Sequence, residues 1–155
     1  MVADERVFDR DYIERLIADA AERIASEEPP VRHIIAIERW GVFPAIALHR
    51  LLPARPTVST VYISFYGDTK SAGNARVEGF TEGRRVWEAF APGEILVVDD
   101  IADHGFTLGE FARHYAGPAY RSFVLFKKPA SAIEPTYVGE HLKDNAWVRF
   151  PWDLK

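Results

Sequence analysis

The chain contains no cysteine, and none of its apolar runs approaches the roughly 18 residues that a membrane-spanning helix requires. The first absence excludes disulfides and thiolate chemistry. The second makes a membrane span unexpected. The opening residues MVADERVFDRD are charged throughout and do not read as a secretory signal, so a cytoplasmic protein is expected. None of the five histidines falls in a spacing such as His-Glu-x-x-His, which argues against a structural zinc site. Neither a Gly-x-Ser-x-Gly elbow nor a Walker-type Gly-Lys-Ser/Thr loop is present. A net charge of -4 argues against nucleic acid as the main partner. There is no internal repeat and no low-complexity tract.

What is present suits an ordinary folded protein. With 155 residues, 48% hydrophobic and 27% charged, residues 1–155 are expected to form one domain with a sizeable core. Proline and glycine cluster at residues 29–30, 53–56, 67–83, 92–93 and 129, marking boundaries between elements. Asp11 and Glu14 are placed to form a capping box for a first helix, with Ile13, Leu16, Ile17, Ala20 and Ile24 recurring on one face. Residues 33–37 read as a strand and 38–41 as a turn. Pro44 then suits the first turn of a helix carrying Ile46, Leu48, Leu51 and Leu52. Residues 58–64 are β-branched and strand-like, whereas 66–85 run polar and without clear periodicity. Residues 95–98 and 120–126 supply two more strands, separated by a helix that Thr107 opens and that ends near Gly117. Alternating β and α elements with apolar strands predict an α/β fold, a parallel sheet flanked by helices. Ligands of such sheets bind beyond the carboxyl ends of the strands. Those ends carry ERWG, SFYGD, DDIADHG and KKPAS, so four site segments are expected on one rim.

Residues 95–108, ILVVDDIADHGFTL, say the most about chemistry. A buried strand leads directly into Asp99 and Asp100, then a turn with Asp103 and Gly105, then a helix start. A helix N-terminus presents unpaired backbone N–H groups to phosphate. Gly105 permits close backbone approach, and the carboxylates suit a divalent cation or ribose hydroxyls. A solvated acidic turn would also carry aspartates, but the full pattern in strand-turn-helix context favours a ligand.

This segment resembles the phosphoribosyl pyrophosphate (PRPP) motif of the type I phosphoribosyltransferases, an apolar strand followed by Asp-Asp-x-x-Asp-Thr-Gly-x-Thr. Asp99, Asp100, Asp103, Gly105 and Thr107 match, while His104 stands where that family usually has a small hydroxyl residue. Residues 35–52, IAIERWGVFPAIALHRLL, resemble the family's first loop, Arg-Gly-Gly-x-x-Pro-Ala. Arg39, Gly41, Pro44 and Ala45 match, and Trp40 replaces a usual glycine. Residues 64–67 through 71–73 and Arg76 are similar to the mobile second loop of hypoxanthine-guanine phosphoribosyltransferases. The last third, with FKKPAS and FPWD, is most similar to the bacterial xanthine-guanine enzymes.

The resemblance implies the type I fold with a small C-terminal base-binding hood, Mg2+ as cofactor, and a likeness to homo-oligomers, dimer or tetramer. It implies transfer of ribose 5-phosphate from PRPP to a 6-oxopurine (hypoxanthine, guanine or xanthine), with release of pyrophosphate, as in purine salvage. PRPP, a purine base and nucleoside 5-monophosphates would be the ligands. Arg39, Trp40 and Gly41 would bind pyrophosphate, and Asp99 and Asp100 would engage ribose hydroxyls and metal. Residues Asp103, His104, Gly105, Phe106 and Thr107 would cradle the 5-phosphate, with Asp103 also the catalytic base near the purine N7. Lys128 would read the exocyclic oxygen, Trp147 would stack on the base, Val148 would present backbone groups to its edge, and Asp153 would lie near base and metal. Two alternatives stand beside this: a non-catalytic nucleotide-binding or regulatory relative, and a transferase for another base.

Overall fold

A computed structural model describes residues 4–67 and 73–153. Its centre is a six-stranded sheet in the order β4-β3-β2-β5-β6-β7. The strands are β2 (His33–Glu38), β3 (Thr57–Phe65), β4 (Ala75–Glu78), β5 (Ile95–Ala102), β6 (Tyr120–Lys127) and β7 (Tyr137–His141). All neighbours pair in parallel except β3 and β4. β2 and β5 lie at the middle, covered on both faces, which is why 34–37 and 95–98 are uninterrupted apolar runs. Side chains alternate across the sheet. Ile34, Ala36, Leu96 and Val98 pack with Ile13, Ile17, Ile24 and Leu48 on one side, and Ile35, Ile37 and Val97 pack with Trp87, Leu108 and Phe111 on the other.

The helices are α1 (Arg10–Ala25), α2 (Val42–Leu51), α3 (Phe80–Trp87) and α4 (Phe106–His114). Several differ from the sequence expectation. α1 is capped by Asp9, whose side chain accepts from the Tyr12 N–H at 2.8 Å, not by a box of Asp11 and Glu14. Asp11 instead lies in the first turn, where negative charge suits the helix dipole, and Glu14 pairs with Arg10 at 2.7 Å. In α2 the small Pro44 and Ala45 and the longer Leu48 face the sheet, which rotates Ile46 and Leu51 outward to about half exposure, 46% and 51%. The polar stretch 66–85 contains β4 and most of α3. Glycine inside a helix reads as a breaker, but at Gly83 it is required, because an added Cβ would come within 2.2 Å of the buried Trp87 ring. α4 starts one residue before Thr107 and stops at His114, well before Gly117.

Two short strands complete the fold. β1 (Glu5–Val7), not expected from its charged sequence, pairs in parallel with β8 (Trp147–Arg149) to form the C-terminal hood. Among the described residues no helix is long and apolar enough to cross a membrane.

Candidate active site

The carboxyl ends of β2, β3, β5 and β6 open into a cavity of about 470 Å3, closed on one side by the hood. β5 continues past its apolar run, keeping register with β6 from Ile95↔Tyr120 to Ala102↔Lys127, and so carries both aspartates to the rim as strand residues. Asp99 is buried and Asp100 half-buried. The Asp100 N–H donates to Asp99 Oδ1 and the Ile101 N–H to Asp100 Oδ1, each at 2.8 Å, which fixes both carboxylates. Desolvation holds the Asp100 carboxyl above the usual carboxylate range, and the charge of Asp153 pushes the same way.

The chain then turns through Asp103 and His104 to Gly105, whose φ of 89° places it in the left-handed region at the head of α4. An added Cβ there would meet the Ile133 N and Ser131 Oγ, both at 3.2 Å. No side chain caps α4, and its first residues, Phe106, Thr107 and Leu108, line the cavity. Lys128, 4% exposed, brings its ammonium 3.3 Å from Asp103 Oδ1, while His104 Nδ1 lies 3.5 Å from the same oxygen. The His104 ring stacks on Phe106 at 5.7 Å and is more than half exposed.

Across the cavity, the turn after β2 presents Arg39 and Trp40, joined to Glu38 by a cis peptide bond. Gly41 lies buried beneath this turn. A Cβ on it would come 2.5 Å from the Ile37 carbonyl and 2.6 Å from that of Val98, so only glycine lets the turn sit against β5. On the hood, Trp147 is 61% exposed and Val148 buried, and both line the cavity. Asp153 lines it too, held by its Oδ2 accepting from the Phe150 N–H at 2.8 Å.

Every expected site residue but Gly41 therefore borders one cavity, and Gly41 supports its wall. The sequence reading placed the end of β3, from Ser64, on the rim but gave no part to Tyr62. Tyr62 and Ser64 point into the same space, and Glu38 accepts from Thr60 Oγ1 at 2.5 Å beside them. The phenol of Tyr62 is drawn below its usual range by hydrogen bonding with Ser64, helped by Arg39 and Arg76. The signal was available, because Tyr62 and Ser64 share one face of a strand that ends on the expected rim. Of the expected mobile loop, residues 68–72 lie outside the described residues. Its end is tied to α4, where the buried Glu110 accepts from the Gly73 N–H at 2.8 Å, and Arg76 pairs with Glu78 on β4.

The charges fit a cation-borne polyanion. Among the described residues lining the cavity, Glu38, Asp99, Asp100, Asp103 and Asp153 stand with Arg39 and Lys128 as permanent cations, an acidic excess that a counterion carried by a phosphorylated ligand would offset. Among the described residues no three His, Cys, Asp or Glu side chains gather to hold a metal unaided. A hard divalent ion here would share its coordination with the ligand's oxygens, as magnesium commonly does.

A family model described as the phosphoribosyl transferase domain matches residues 5–155. Among solved structures, a purine phosphoribosyltransferase from Pyrococcus horikoshii Ot3 superposes with a TM-score of 0.75 at 20% identity, over 98% of this chain and 96% of that one. A hypothetical protein from Neisseria gonorrhoeae, with bound ppGpp, gives 0.75 at 23% identity, over 99% and 92%. The xanthine-guanine-hypoxanthine phosphoribosyltransferase of Helicobacter pylori gives 0.74 at 16%, over 97% and 93%. At these identities the likeness is one of fold.

Proposed function

The chain belongs to the phosphoribosyltransferase domain family, and from that premise we propose that it transfers ribose 5-phosphate from PRPP to a 6-oxopurine. One observation carries the reading: a single cavity joins a basic turn, an acidic strand end with an uncapped helix, and a hood with an exposed indole. These suit pyrophosphate, ribose phosphate and base in turn. The bond from the anomeric carbon to the pyrophosphate oxygen breaks, a bond forms to the unprotonated imidazole nitrogen of the purine, and the proton on the purine N7 passes to Asp103.

Arg39 meets the pyrophosphate, whose negative charge grows as it leaves. The amides of residues 103–107 and Thr107 hold the 5-phosphate, and Asp99 and Asp100 hold ribose hydroxyls. Together with the ligand's own oxygens, Asp99, Asp100 and Asp153 would hold Mg2+, which when bound would neutralise pyrophosphate charge. The buried Lys128, already paired with Asp103, would donate to the exocyclic oxygen of the base, and Trp147 would cover the base's face. In this reading residues 1–155 act as one domain, nucleic acid is not a partner, the protein works in the cytoplasm, and a homo-oligomer is the working form.

The test is product formation from PRPP and Mg2+ with hypoxanthine, guanine, xanthine, adenine and pyrimidines. Turnover is expected with 6-oxopurines, and Lys128→Ala is expected to hurt these more than adenine. Turnover with pyrimidines alone would reassign the base. The exposed His104 beside Asp103 favours one rival, a cradle that binds nucleotide without catalysis. Calorimetric binding of a nucleoside 5-monophosphate with no turnover, unchanged in His104→Thr, would establish that rival.

A further inference from the structure

Four aromatic rings run from the turn after β2 to the C-terminal segment. Trp40 stacks on Phe43 (6.1 Å between centroids, 24° between planes), Phe43 on Trp152 (4.8 Å, 4°), and Trp152 on Phe150 (4.7 Å, 8°). At one end the Arg39 guanidinium carbon lies 5.7 Å over the Trp40 ring. At the other, a tight turn binds Asp153 to Phe150 twice, through its N–H to the Phe150 carbonyl at 3.1 Å and through its carboxylate. Arg39, Trp40, Phe150 and Asp153 line the site cavity, whereas Phe43 and Trp152 stand behind its wall, facing the groove between α1 and α2. Among the described residues no hydrogen bond or ion pair joins 39–41 to 150–153. Among the described residues the stacked rings thus connect these two distant parts of the chain directly, within the apolar cluster that holds Phe150.

Trp152 adds a second observation. Its indole Nε1 is buried and, among the described residues, has no hydrogen-bond partner. An unmade buried hydrogen bond is destabilising, so the ring face, and not the donor, explains an indole at this position. Phe43 and Trp152 at 4° are close to parallel, a stacked arrangement that favours keeping the two ring faces in contact.

We propose that Phe43 and Trp152 are positioning residues: their stack holds Arg39 and Asp153 at a set separation across the cavity mouth. The role rests on the phosphoribosyl-transfer reading above, in which Arg39 meets the pyrophosphate and Asp153 the metal and base. Loosening the stack would then degrade both halves of the site together, although neither ring touches substrate.

The experiment compares the native protein with Phe43→Leu, Trp152→Leu and Trp152→Phe, each checked for its fold by far-UV CD at the assay temperature. Steady-state kinetics give KM for PRPP and for the base, and calorimetry gives Kd for pyrophosphate with Mg2+. Both Leu variants are expected to raise KM for PRPP and Kd for pyrophosphate about tenfold, with a parallel rise for the base. Trp152→Phe keeps a stacking ring and sheds the unpartnered donor. It is expected to stay within about twofold of native constants and to melt no earlier. Leu variants that melt earlier yet keep native constants would reduce the stack to ordinary packing and overturn the proposal. Failure of Trp152→Phe as severe as that of Trp152→Leu would also overturn it, since stacking would not be the cause. Inactivity of the native protein with every base would overturn the transferase reading and this role with it, a result separable from the others because native and variants would then be alike.

Discussion

The two rims of the central sheet are built from similar strands and solve opposite problems. At the amino rim, buried polar groups are paired with one another. The His33 ring sits between Thr57 Oγ1 at 2.7 Å and Ser59 Oγ at 2.8 Å, and Ser59 also accepts from the Trp87 indole at 3.2 Å. Arg121 donates to the carbonyls of Pro29 and Gly93 and to the Tyr137 hydroxyl, which in turn donates to Glu27. At the carboxyl rim, carboxylates crowd one another, an indole stands in solvent, and a helix end has no side-chain cap. The first rim is arranged for stability. The second keeps unfavourable charge and exposure that a ligand would relieve, as functional sites commonly do.

The sharpest way to break this contrast is Asp100→Asn. The amide can keep the bond from the Ile101 N–H while removing a half-buried, desolvated charge next to Asp153. Expected is a loss in kcat/KM for PRPP of about a hundredfold or more, roughly 3 kcal/mol, with a melting temperature unchanged or raised. A variant that unfolds instead would make the carboxyl rim structural, like its opposite.

The amino rim has its own signature in pH. Burial pushes His33 down to about 4, from the ordinary value near 6.5. Between those values the unfolded chain binds a proton that the folded chain refuses. Stability is therefore whole above about pH 6.5 and falls as pH drops towards 4, by roughly 3 kcal/mol in total and about 2 kcal/mol by pH 5. Urea unfolding at pH 7 and pH 5 measures this, and His33→Gln should remove that part of the slope. An equal slope in the variant would assign the acid sensitivity to the carboxyl rim.

The smallest expected effect is at Trp147. With 61% of the residue exposed, Trp147→Ala should leave the melting curve unchanged while raising the purine KM several-fold, about 1 kcal/mol of lost stacking. A lowered melting temperature with an unchanged KM would move Trp147 from binding to packing.

Legibility in the sequence followed contiguity. Residues 95–107 carry strand, acidic turn and helix start in one stretch, so both the element order and the grouping of Asp99, Asp100 and Asp103 could be read directly. Tyr62 was missed because it joins the cavity through the register of β3 beside β2, where Glu38 stands opposite it. β1 was missed because three residues, two of them charged, become a strand only by pairing with residues 147–149. α3 was missed because Gly83 looks like a breaker until the Trp87 ring is seen lying over it. The outward turn of Ile46 and Leu51 was equally hidden, since a helix rich in apolar residues on several faces does not announce which of them meets the sheet.

By itself the sequence determined the alternation of strands and helices, the mostly parallel sheet with its candidate site segments on one rim, and the acidic motif at the end of β5. These depend on local spacing and on burial of uninterrupted apolar strands, both written along the chain. Only the tertiary structure decided that Lys128 would be buried against Asp103, that Gly41 would be pressed between the carbonyls of Ile37 and Val98, and that Trp40, Phe43, Trp152 and Phe150 would form one stack. Each of these joins residues from separate elements. Their contact is a product of close packing in three dimensions, which no local period of the chain encodes.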